Sequence, residues 1–122
     1  MLISELCTKS GLSKDTIRHY ESKGLIHPKM LSAGSRSYRH YDETSLERLE
    51  LIQIGRKSGM ILREMKPILE KLMAGKLSFK GQRQVILDQL ARVDERMAEL
   101  RTAKKLLKQQ FKRIDEREKQ AC

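Results

Sequence analysis

Residues 3–24 read ISELCTKSGLSKDTIRHYESKG, and this stretch decides the fold. Ile3, Leu6 and Cys7 recur at i, i+3 and i+4, which predicts a short helix over Ile3–Ser10 with one apolar face. Gly11 then permits a sharp turn, because a residue without Cβ enters the left-handed region at little cost. Leu12 can plug the junction with a second helix. Ser13 is a good N-cap for that helix, Asp15 suits its positive end, Ile17 supplies its inward face, and Gly24 is the expected stop. Helix, glycine turn and capped second helix are the grammar of a helix-turn-helix.

Beyond Gly24 the period changes. Leu25-Ile26-His27-Pro28 and Ser37-Tyr38-Arg39-His40-Tyr41 are predicted as two short strands joined by a loop with Ser32, Gly34 and Ser35. In the second, Tyr38 and His40 share one face, and Arg39 and Tyr41 the other. A hairpin directly after a helix-turn-helix reads as a wing. Asp42 can cap a third helix, with apolar residues at Leu46, Leu49 and Ile52 (or Ile54) and a stop near Gly59. A fourth follows over Leu62–Met73 and closes at Gly75; it lacks a polar cap, since Ile61 precedes it, and Pro67 lies inside it.

The last third is the most regular. With Leu90 at heptad position a, the a residues are Arg83, Leu90, Met97, Lys104 and Phe111, and the d residues are Ile86, Val93, Leu100, Leu107 and Ile114. Eight of these ten are apolar, which predicts a coiled-coil helix with a seam about 48 Å long. No second long helix is expected in the chain, so the partner is another copy. In a parallel pair Lys104 would face Lys104 inside the seam, and Arg96 at g would face Arg101 at e. An antiparallel pair centred between Met97 and Leu100 sets Leu90 against Leu107, Ile86 against Phe111 and Val93 against Lys104. It also brings Asp94 opposite Arg101, so the expectation is an antiparallel, two-fold dimer. The predicted divisions are a winged helix-turn-helix domain at 1–75, a dimerisation coiled-coil helix at 76–118 and a tail at 119–122.

Charge narrows the class of partner. The 122 residues hold 26 Lys and Arg against 16 Asp and Glu, a net charge of +10. Residues 1–80 carry 15 basic and 9 acidic side chains, and residues 81–122 carry 11 and 7. Every Tyr and every His lies within the first 41 residues, where aromatic and basic groups interleave as a phosphate-tracking, base-reading surface requires. No apolar run approaches the roughly 18–20 residues of a membrane span, and no leader is expected before the first element. Two cysteines make no disulfide framework, so a cytoplasmic, nucleoid-associated protein is expected. No Ser/His/Asp or Cys/His set suggests catalysis, and neither cofactor nor metal is expected. Cys7 reads as a small apolar member of the first helix face. A thiol- or metal-responsive switch would rest on Cys122, whereas a soft-metal site needs at least two converging thiolates or imidazoles.

The run Ile3-Ser4-Glu5-Leu6, Gly11-Leu12-Ser13, Asp15-Thr16-Ile17-Arg18-His19-Tyr20-Glu21 with Gly24-Leu25 resembles the MerR family of bacterial transcription regulators. Tyr38-Arg39-His40-Tyr41-Asp42 looks like that family's wing strand, and Gly59-Met60 resembles its second helix-turn-helix junction. The likeness covers about residues 2–75. It implies a mainly α protein: a winged helix-turn-helix followed by a long antiparallel dimerisation helix, as the heptads indicate independently. His19 stands where members usually carry Tyr or Phe, and Ser37 replaces the glycine before the wing tyrosine. Family members with a metal response place a cysteine at the start of the dimerisation helix, where this chain has Lys80, Gly81 and Gln82.

A second helix in the major groove presents the residues at its start and centre, here Lys14, Thr16, Arg18, His19 and Tyr20. The resemblance favours Arg18 and Tyr20, with Tyr20 a candidate for a phosphate bond. Arg18 can read guanine bidentately or contact phosphate, and both stay open. Arg36, Tyr38 and Arg39 are wing candidates for the flanking backbone, with Arg56 and Lys57 at the end of the third helix as further candidates. The seam residues Ile86, Leu90, Val93, Met97, Leu100, Lys104, Leu107, Phe111 and Ile114 are the dimerisation candidates. The resemblance implies binding of an inverted repeat in double-stranded promoter DNA, distortion of that DNA, and RNA polymerase as a partner. The alternative is an architectural or adaptor DNA-binding dimer without an effector.

Overall fold

A computed structural model describes residues 1–122 as two units, Met1–Ser78 and Phe79–Cys122. The first unit runs α1 (Ile3–Ser10), α2 (Lys14–Ser22), β1 (Lys29–Ala33), β2 (Arg36–His40), α3 (Glu43–Lys57) and α4 (Leu62–Met73). The second is one helix, α5 (Phe79–Ala121). The fold is mainly α: a winged helix-turn-helix and a long C-terminal helix.

Between α1 and α2, Gly11 takes a left-handed φ of 74° and its N–H reaches the Cys7 carbonyl at 2.9 Å, closing α1. Leu6, Ile17 and Tyr20 bring these two helices into a core completed by Leu25, Ile26, Tyr41, Leu49, Ile52, Met60, Met65 and Leu69. Cys7 and Leu12 pack against its edge. Of the two alternatives in α3, Ile52 is buried and Ile54 is exposed. Two side chains tie α3 to the helix-turn-helix: Arg48 Nη1 donates to the Leu25 carbonyl at 3.0 Å, and Gln53 Nε2 to the Ser10 carbonyl at 3.3 Å. Asp42 caps α3 by accepting the Ser45 N–H at 3.1 Å. α4 begins without a side-chain cap, and Pro67 is its sixth residue, so the carbonyl of Arg63 has no helical donor there.

The hairpin departs from expectation. Leu25 and Ile26, predicted in a strand, are fully buried core residues in an irregular segment, and the first strand is Lys29–Ala33. The antiparallel register pairs Lys29 with His40, Met30 with Arg39, Leu31 with Tyr38, Ser32 with Ser37 and Ala33 with Arg36, so only Gly34 and Ser35 turn. Gly34 sits at φ 65°, as tight hairpin turns require. The reason for the difference is solvent. Every residue of β1 is exposed, so no apolar alternation marks it, while the apolar pair at 25–26 is recruited by the core. Tyr41 falls just past β2 and is completely buried; its backbone exchanges hydrogen bonds with Met1.

α5 spans 43 residues, about 64 Å at the α-helical rise. It starts at Phe79 rather than 76 and continues through Ala121, taking in most of the segment assigned to a tail. Good helix formers there, Glu118, Lys119, Gln120 and Ala121, account for the extension. No residue of α5 is buried, and no helix of the chain is long and apolar enough to cross a membrane.

Candidate nucleic-acid interface

Ser13 builds the start of the recognition helix. Its Oγ accepts the Thr16 N–H at 3.1 Å, satisfying one of the unpaired donors of the first turn, and its hydroxyl donates to Thr16 Oγ1 at 2.8 Å. Lys14, Arg18 and His19 are exposed on this helix; Thr16 is half-buried, with its hydroxyl engaged by the cap. Tyr20 is placed differently from its neighbours. It is only 9% exposed and belongs to the core, because it follows Ile17 by three residues and shares its inward face. His19 remains outside, its ring centroid 6.0 Å from that of Tyr20.

The wing displays Arg36, Tyr38 and Arg39 on an exposed strand. Alternation sets Arg36, Tyr38 and His40 on one face and Arg39 on the other. Arg39 turns back toward α2: its Nε donates to both oxygens of Glu21 at 3.1 Å. The Tyr41 hydroxyl donates to Glu21 Oε1 at 3.1 Å. Burial first, and then the Glu21 carboxylate, push the Tyr41 hydroxyl up to about 12, with Arg39 and Arg18 drawing it partly back. The hydroxyl therefore stays protonated and donating. Glu21 thus joins the recognition helix to the wing, a link between residues eighteen positions apart that the sequence concealed.

Arg56 and Lys57 are exposed in the last turn of α3, on an element separate from α2 and the wing. Sequence reasoning did not single out a second basic cluster. Lys23, Arg63 and Lys66 line a cavity of about 470 Å³ with Leu62 and Pro67. The Lys66 ammonium lies so close over Gly24 that a Cβ there would stand 2.8 Å from Nζ. No local pattern marks this cluster, since Lys23 and Lys66 meet only through the packing of α4. Cys7 is half-buried and Cys122 exposed, and no three His, Cys, Asp or Glu side chains form a group able to hold a metal ion.

A capped helix exposing Lys14, Arg18 and His19 and a wing exposing Arg36 and Tyr38 are the elements of a winged helix-turn-helix. The family described as MerR HTH family regulatory protein matches residues 1–72, and the chain belongs to it. The transcriptional regulator HmrR of Rhizobium leguminosarum bv. viciae is 30% identical over 107 residues, covering 88% of this chain and 81% of that protein. A probable heavy metal-dependent transcriptional regulator of Haemophilus influenzae is 42% identical over 69 residues, 57% of this chain and 52% of its own length. Among solved structures, PbrR691 from Ralstonia metallidurans CH34 in complex with lead(II) has a TM-score of 0.66 at 32% identity, over 88% of this chain and 82% of that one. HiNmlR, a MerR family regulator lacking the sensor domain and bound to promoter DNA, has a TM-score of 0.61 at 26% identity, over 83% and 75%.

Proposed function

We propose that this protein is a homodimeric regulator that binds an inverted-repeat operator within a promoter and controls transcription by distorting the DNA between the half-sites. The observation that carries the dimer is the α5 seam. Ile86, Leu90, Met97, Leu100, Leu107, Phe111 and Ile114 are each at least half exposed, though they line one heptad stripe. Burying one such side chain fully is worth roughly 1.5–3 kcal/mol, so a full seam outweighs an association cost of roughly 4–15 kcal/mol.

Charge favours the antiparallel arrangement. From Arg101 to Arg113 there are six basic residues and no acidic one, a stretch that a parallel copy would align against itself. Reversing the second copy sets this stretch beside residues 84–96, where Asp88, Asp94 and Glu95 outnumber Arg92 and Arg96, and places Asp115 opposite Lys80 of the other chain. The two-fold axis then demands a palindromic site.

On the DNA side, Lys14, Arg18 and His19 read or grip the major groove, while Arg36, Tyr38 and Arg39 hold flanking backbone. Lys23, Arg63 and Lys66 add a further phosphate-binding cluster. The HiNmlR complex, a family relative on promoter DNA, supports this placement of the partner. RNA polymerase is the second partner, since bending and untwisting serve to realign promoter elements. The deciding experiment is transcription from a promoter with a widely spaced −35/−10 pair carrying the footprinted operator. Activation that depends on an effector supports the proposal; constant occupancy without activation supports an architectural dimer instead.

A further inference from the structure

Arg39 and Glu21 form the one ion pair that links wing and recognition helix across the hairpin. Its partners are unequal. Glu21 is 19% exposed and held from a second side by the wholly buried Tyr41, whose hydroxyl occupies Oε1. Arg39 is 44% exposed, on a strand with every residue but His40 open to solvent. The anchored carboxylate therefore orders the more exposed cation, not the reverse. Contact is made through Nε, at 3.1 Å to each oxygen. A guanidinium is a rigid planar fork, so holding it by Nε leaves its end-on edge, one N–H from each terminal nitrogen, pointing away from the carboxylate. That edge has the geometry for a phosphate.

We propose that Glu21 is a positioning residue for operator binding: by gripping Arg39 at Nε, it presents the terminal nitrogens of that arginine to the DNA backbone beside the groove that α2 enters. The inference rests on the operator-binding reading above. It makes an acidic residue on a DNA-facing helix favourable to binding. Simple electrostatics predicts the opposite sign, because removing a negative charge near a polyanion strengthens association. Lysine cannot substitute at position 39, since a single ammonium serves either Glu21 or a phosphate in one geometry.

The test uses the full chain and a duplex recovered by the wild-type protein from a random-sequence pool. Glu21→Gln keeps the shape and the acceptor for Tyr41 but loses the charge. Affinity is expected to fall about tenfold, the scale of one charge-assisted contact, and the slope of log affinity against log salt to fall by about 0.9, one phosphate contact. Arg39→Lys should lose a similar factor at unchanged net charge. Combining Glu21→Gln with Arg39→Gln should bind no more weakly than Arg39→Gln alone. Unchanged or tighter binding by Glu21→Gln overturns the proposal, as does an Arg39→Lys variant with wild-type affinity and slope. If Glu21→Gln unfolds, Arg39→Lys decides, since it leaves Glu21 and Tyr41 paired. Recovery of no preferred duplex by the wild type overturns the operator reading and this inference together; a preferred duplex bound normally by the variants overturns this inference alone.

Discussion

Gly55 on α3 faces Met65 on α4 so closely that a Cβ at position 55 would collide with the Met65 sulfur. The two helices meet at that point because one side has no side chain. Met65 is buried and Met60 Sδ would lie 3.6 Å from the same Cβ, so the sulfur has little room to retreat. Gly55→Val should therefore destabilise the first unit by about 1–3 kcal/mol despite removing a flexible helix residue. Denaturant unfolding measures it; a neutral result would show that α4 can shift outward without penalty.

Ser13→Ala removes the acceptor for the Thr16 N–H and should cost about 1 kcal/mol. The loss falls at the N-terminal end of α2. Hydrogen exchange at Thr16 should accelerate more than at Leu49, whereas uniform acceleration would mean that the cap acts on the whole domain.

Alkaline pH should loosen the clasp beneath the wing. The Tyr41 hydroxyl is raised from its ordinary 10.0 to about 12, so the folded state holds this proton more tightly than the unfolded chain. That contribution is complete below pH 10.0 and is lost as the pH climbs through about 12. Tyr41→Phe should be less stable near neutrality and show a shallower decline over the alkaline window. Unfolding curves at a series of pH values check the slope, and identical slopes would refute the assignment.

The seam of α5 can be tested without DNA. Leu100→Glu, at the centre of the expected antiparallel pair, should convert dimer to monomer in sedimentation while leaving the first unit folded. Met97→Cys, made with Cys7 and Cys122 replaced by serine, should cross-link efficiently between copies. Efficient cross-linking by Ile86→Cys instead would favour the parallel arrangement.

Arg18 distinguishes base reading from phosphate contact. Arg18→Ala should weaken specific binding more than non-specific binding, by about 1–3 kcal/mol at the affected base pair. Equal losses on both DNAs would assign the side chain to phosphate, and the salt slope would then drop as well.

Local chemistry made much of this molecule legible in sequence. Gly11, Ser13 and Ile17 act within one or two turns, so the helix-turn-helix follows from near neighbours. The heptads of α5 repeat at a fixed period that marks a long helix with one apolar stripe. The wing was less legible, since an exposed two-stranded hairpin buries neither face and leaves no alternating pattern. The burial of Tyr20 was illegible for a related reason. An aromatic polar residue on a recognition helix suits either DNA or the core, and only its phase relative to Ile17 separates them.

By itself, the sequence determined the family, the order of helices, the basic character of both parts and the seam along α5, because each depends on composition or short periodic spacing. Tertiary structure alone decided that Leu25 and Ile26 belong to the core, that Lys66 lies over Gly24, and that Arg39 is held by Glu21. These relationships join residues distant in the chain. Their energy comes from groups that meet only after the backbone has folded, so no local pattern records them. The net charge of +10 announced a polyanionic partner; the fold shows one acidic side chain among those charges acting as a strut for the wing.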